Sequence, residues 1–140
     1  IPEVKMKLIA ACKNYVEAYP KGKVGTEAEY KIARILWEYN YFKESTPRFL
    51  EFVDKHPEHM KIAGNDAATK ERVEARTIQA ANLALDTYAQ LEDHENINKT
   101  ARSFLRYPFL TKNEDFLKVL KEVIENSSLP LVVFLFLAVT

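Results

Sequence analysis

A chain of 140 residues and 16.2 kDa is one domain's worth of protein, long enough to bury a core. Hydrophobic residues at 47% and charged ones at 29% exclude a disordered chain, while three glycines and six prolines are too few turn formers for a sandwich or barrel. Lys+Arg and Asp+Glu stand at 20 each and are spread evenly, so the basic face that a nucleic-acid binder needs is missing.

Long helices are therefore expected, and the chain reads as all-α. Residues 3–19 place Val4, Leu8, Ala11, Cys12, Tyr15, Ala18 and Tyr19 on one side of a first helix, which Pro20 stops. Cys12, the single cysteine, excludes an internal disulfide and reads as a small buried hydrophobe rather than a nucleophile. Residues 21–25 form a turn, and Thr26 is the expected N-cap of the next helix, with Glu27 and Glu29 in its first turn suiting the helix dipole. Tyr30, Ala33, Leu36 and Trp37 recur at helical spacing until Asn40 breaks the pattern. A third helix starts at 43–46, where Pro47 is tolerated, and carries Phe49, Phe52 and Val53 to a stop at His56-Pro57. Residues 57–66 read as a connection.

From Asn65 or Asp66 as N-cap, Ala67–Leu91 should be one helix of about 25 residues, ~37 Å long. Val73, Ala81, Ala84, Leu85, Tyr88 and Leu91 form its apolar side. After a turn at 92–96, Ile97–Arg106 buries Ile97, Ala101, Phe104 and Leu105, and Tyr107-Pro108 closes it. Thr111 or Asn113 caps a last helix over 112–126, with Phe116, Leu117, Leu120, Val123 and Ile124 inside and Asn126-Ser127-Ser128 at its end. Residues 129–140, LPLVVFLFLAVT, are an uncharged apolar tail, too short for the ~20 residues that a bilayer needs. Such a tail must be packed against an end face, a groove or a second molecule, so self-association through 129–140 is one expectation.

The chain also repeats. A shift of 51 carries Pro57 onto Pro108, and Tyr30, Ala33 and Trp37 onto Ala81, Ala84 and Tyr88. Tyr15, Tyr19 and Pro20 match Phe52, His56 and Pro57, so residues 1–20 read as the second half of a repeat whose first half would lie upstream. The start at Ile1 without methionine points in the same direction, to a processed or excised fragment.

A helix pair with Tyr30, Ala33 and Trp37 in its first member, Phe42 and Phe49 in its second, and Pro57 after it resembles the tetratricopeptide repeat. Arg34 stands where the family most often has glycine, and Ser45 where it has alanine. The Tyr-Pro before a new repeat is similar to repeats of bacterial cell-envelope proteins, which favours periplasm or envelope over cytoplasm. The resemblance implies a short right-handed solenoid of antiparallel helix pairs: half repeat 1–20, repeat 26–57, divergent repeat 66–108 and a C-terminal helix, together the domain 1–128.

No Gly-rich phosphate loop, nucleophile elbow or Cys-x-x-Cys occurs, and neither catalysis nor a cofactor is expected. His56-x-x-His59 with Glu58 reads as a solvated loop rather than a metal site, and 92–95 as an acidic turn lacking a calcium loop's alternating ligands. The expected function is a non-catalytic scaffold that binds a partner peptide or protein. By the family's geometry the lining would be Lys31, Ile35, Glu38 and Tyr39, continuing onto Asn82, Asp86 and Ala89. The alternative is a structural domain packed inside a larger enzyme or machine with no separate partner.

Overall fold

The computed structural model describes the backbone of residues 1–139 and the side chains of residues 1–128. Its regular elements are all helices: α1 (Glu3–Ala18), α2 (Lys23–Glu38), α3 (Phe42–Asp54), α4 (His56–Ala63), α5 (Ala67–Gln90), α6 (His94–Phe104), α7 (Pro108–Thr111) and α8 (Glu114–Val139). The protein is all-α. It divides into two compact units, Ile1–Ala84 and Leu85–Thr140.

In the first unit α2 is the middle helix, with α1 on one side and α3 on the other. Toward α1, Ile32, Ile35 and Leu36 close on Ile9, and Leu8, Cys12 and Tyr39 are packed against them half-buried. Toward α3, the Phe49 and Phe52 rings meet Tyr30 at 6.1 and 5.8 Å. A helix covered on two sides needs an apolar arc wider than one stripe. That is why Ile32, Ala33, Ile35 and Leu36 are all buried, none above 5% exposed. Burial of one such large side chain stabilises the unit by about 1.5–3 kcal/mol. Two hydroxyls, Ser45 Oγ and Thr46 Oγ1, sit in this core without a hydrogen-bond partner among the described residues.

The second unit is built on α8, against which α6 and α7 pack. Phe104 faces Phe116 at 6.4 Å, and Leu110 and Leu120 are fully buried. Asn98 Nδ2 of α6 donates to Ser127 Oγ at 2.9 Å and to Ser128 Oγ at 3.2 Å. Those serines also donate to Ile124 O, so their hydroxyls are satisfied inside the helix. Hence Asn126-Ser127-Ser128 does not end the helix, and α8 runs on to Val139. The expected packing of the 129–140 tail lies outside the residues whose side chains are described.

The ends of α2 and α5 share one cap geometry. Asn40 takes φ 64° after α2, with Tyr41 N donating to Leu36 O and Asn40 N to Trp37 O. Glu92 takes φ 53° after α5, with Asp93 N donating to Tyr88 O and Glu92 N to Ala89 O. Both are left-handed caps of the same hydrogen-bond pattern. Their spacing, 40 to 92, is 52 rather than 51. At a shift of 51, Tyr30, Ile32 and Ala33 are buried like Ala81, Leu83 and Ala84, and Lys31 is exposed like Asn82, whereas Ile35 is buried and Asp86 exposed.

Several expectations fail locally. α2 starts at Lys23, not Thr26, so Thr26 is a buried helix residue, and Gly22 precedes the helix. A Cβ on Gly22 would lie 2.9 Å from Tyr15 Oη and 3.3 Å from Tyr19 Cβ and O, so a larger residue there would make the Tyr15 ring shift. Residues 57–66 are not a plain connection: Pro57 sits in the first turn of α4, where its fixed φ and missing N–H suit a helix start. Pro108 does the same for α7. Trp37 is only half-buried, with the Arg34 guanidinium over its ring at 4.9 Å. Val4, Tyr19, Leu91 and Leu105 are exposed rather than core.

Candidate binding groove

The face that the sequence marks as a binding surface carries an open groove of about 540 Å³ in the first unit. α1 contributes Lys5, α2 contributes Glu27 to Glu38 along one side, and α5 contributes Arg76 and Gln79. Arg76 organises it. Its Nε donates to Glu27 Oε1 at 3.0 Å and Oε2 at 3.2 Å, and its Nη2 to Glu27 Oε1 at 2.7 Å. The guanidinium also lies 4.7 Å from the Tyr30 ring centroid, and Nη1 donates to Gln79 Oε1 at 2.8 Å. A planar fork that grips one carboxylate and stacks on one ring has little freedom left, so α5 is fixed against α2 here. The Glu27 bond also holds the Arg76 guanidinium above its ordinary pKa.

Of the residues expected to line a partner site, Lys31 and Glu38 lie in the groove and are exposed. Glu38 accepts from Arg34 Nε at 3.2 Å. Ile35 is a correction. It reaches the groove wall, but at 3% exposure it belongs to the core with Ile9, because α1 covers the side of α2 on which it stands. Tyr39 is half-buried against that same cluster and is not a groove residue. Asn82 is exposed on α5 but does not line the groove, where Arg76 and Gln79 stand instead. Asp86 and Ala89 are exposed in the second unit, and Asp86 accepts from Gln90 Nε2 at 3.1 Å.

Sequence reasoning missed Lys5, Glu27, Tyr30, Arg34, Arg76 and Gln79 as groove residues. The Arg76–Glu27 pair spans 49 residues and has no local signature. With those included, four cations (Lys5, Lys31, Arg34, Arg76) face two carboxylates (Glu27, Glu38). Two of the cations are paired to the two carboxylates, which leaves Lys5 and Lys31 without an ion-pair partner among the described residues.

The histidines of α4 are also a correction. They are not in a solvated loop: His56 and His59 are 7% and 3% exposed. His56 Nε2 donates to Glu74 Oε1 of α5 at 3.0 Å, and His59 Nε2 stands 3.3 Å from Glu29 Oε2 of α2. The Phe52 ring lies 4.6 Å from the His59 ring, whose Nδ1 is buried without a partner. The hydrogen bond from His59 holds the Glu29 carboxyl below its ordinary pKa, helped by Lys55 and Arg48 and opposed by burial. The two imidazoles thus pin α4 to two different helices, each through its own carboxylate. Among the described residues no group of three or more His, Cys, Asp or Glu is placed to hold a metal ion. Asp93 of the acidic turn is the N-cap of α6, accepting from Asn96 N at 3.1 Å.

No protein-family model matches the chain, and no curated protein or solved structure matches it either. Among the described residues, no helix is long and apolar enough to cross a membrane.

Proposed function

We propose that the protein is a non-catalytic interaction module of the tetratricopeptide type, which holds a partner peptide or protein domain in the groove between α1, α2 and α5. The observation that carries this reading is the groove itself. It is open to solvent, it runs along α2, and two of its cations, Lys5 and Lys31, have no ion-pair partner among the described residues. Interaction surfaces commonly combine such a fixed floor with polar groups at the rim that await a partner. Here the Arg76–Glu27–Tyr30 cluster supplies the floor. Lys31 and Glu38 supply the rim. The likeness to envelope repeats makes a cell-envelope complex the setting in which to look for the partner.

The test is affinity capture with the full chain and with a variant whose rim charges are reversed, Lys31→Glu with Glu38→Lys. Both positions are exposed, so the variant should fold normally. A protein retained by the wild type and lost by the variant supports the groove. Equal retention by both, or none by either, counts against it and favours a structural domain packed within a larger assembly.

A further inference from the structure

Polarity is arranged in two different ways along α8. Over residues 114–126 the division runs lengthwise. Phe116 and Leu120 are buried and Val123 and Ile124 half-buried, while Lys118, Lys121, Glu122 and Glu125 are exposed. That is the pattern of a helix with one side on protein and the other in water. After Glu125 no charged residue occurs, and residues 129–139, LPLVVFLFLAV, are apolar without exception. The helix does not break at the change. The Ser127 and Ser128 hydroxyls donate back to Ile124 O, and the backbone stays helical to Val139. Successive residues are turned by about 100°, so positions 129–139 go fully round the axis and leave no polar side. Here the division of polarity runs across the helix. None of these residues lines the groove.

We propose that residues 129–139 of α8 insert into the hydrocarbon of a lipid bilayer, with residues 126–128 at its surface. A protein partner, a second copy included, covers one side of a helix and leaves another in water, which calls for a polar side that this segment lacks. Hydrocarbon surrounds a helix on every side and ends in a plane, which calls for a crosswise boundary. Asn126, Ser127 and Ser128, polar and uncharged, occupy that boundary. Pro130 fits the same placement. It has no N–H to donate to the Asn126 carbonyl, and Asn126 is exposed, so water supplies the missing donor. At 1.5 Å per residue the segment reaches about 16 Å, roughly half of a ~30 Å hydrocarbon core. As far as Val139 it enters one leaflet without crossing. The segment holds no cation, so its insertion does not depend on anionic lipid.

The test is flotation of the full chain, synthesised in a cell-free system in the presence of phosphatidylcholine vesicles and then spun in a density gradient. The chain is expected to rise with the vesicles, and to stay with them in high salt. Val133→Arg with Leu135→Arg should reduce the floating fraction by about tenfold or more, since charge is strongly disfavoured in hydrocarbon. Leu131→Val with Leu137→Ile, which keeps the segment apolar, should leave it unchanged. Far-UV circular dichroism and the emission of Trp37, in the first unit, should be the same in all three proteins. A full chain that stays behind while the vesicles rise overturns the proposal, whether it is monomeric, aggregated or, as a covering second copy would make it, a soluble oligomer. Flotation that survives the double arginine variant also overturns it. So does flotation that requires anionic lipid and is lost in salt, because the contact is then a charged surface and not the segment.

Discussion

Ser45 is fully buried in α3, and its hydroxyl has no hydrogen-bond partner among the described residues. A hydroxyl taken out of water without a partner costs about 1–3 kcal/mol. Serine is also a poorer helix former than alanine, by roughly 0.5 kcal/mol in a helix interior. Ser45→Ala removes both costs and loses only the few dispersion contacts of one oxygen. The net expectation is a gain of about 1–2 kcal/mol, close to the lower part of the unpaired-hydroxyl range. In a unit of this size each kcal/mol raises Tm by about 4–8 °C. Urea denaturation followed by tryptophan fluorescence is the assay, since Trp37 is the single tryptophan and lies in the first unit. A loss of 1 kcal/mol or more on substitution would show that the hydroxyl is bonded in the folded protein, and the packing described around α3 would be wrong.

Phe49→Ala should cost about 3–5 kcal/mol, since a fully buried ring leaves a cavity between α2 and α3. Trp37→Ala, at a half-buried site, should cost less than about half of that, measured by circular dichroism in urea. Equal losses would contradict the placement of the two rings. For Glu29 the sign follows from its depressed pKa. The stability it contributes is complete above its ordinary 4.5 and is lost as pH falls through the lower folded value. Glu29→Gln should therefore flatten the acid limb of a stability–pH curve below that point, and an unchanged limb would show that the His59 contact is not made in solution. The same contact predicts that neutral His59 carries its proton on Nε2, which nitrogen chemical shifts in an NMR spectrum report directly.

Periodicity and punctuation made much of the fold legible. Asn40 ends α2 because a short polar side chain tolerates the left-handed cap, and Asp66 and Asn113 cap α5 and α8 through the bonds expected of their side chains. The failures share one cause, which is that burial depends on partners distant in sequence. Ile35 sits where a one-stripe helix would face solvent, and only α1 packing on α2 makes that position core. His56 and His59 look like loop residues until Glu74 and Glu29 arrive from other helices. Pro57 misleads for a local reason, since a proline that ends one helix is equally at home in the first turn of the next. In the candidate site the exposed rim residues, Lys31 and Glu38, were named through the geometry that the tetratricopeptide resemblance implies. The floor was not, because Arg76 reaches Glu27 only through tertiary structure.

The groove as the partner-binding face is tested most directly by photo-crosslinking from single positions in the full chain, in extracts of the source organism. A photoreactive residue at Lys31 samples the groove rim, and one at Lys61 samples an exposed position of α4 away from it. The expected result is a discrete protein adduct from position 31 and none from position 61. Adducts from position 61 alone, or from neither position, would contradict the proposed function.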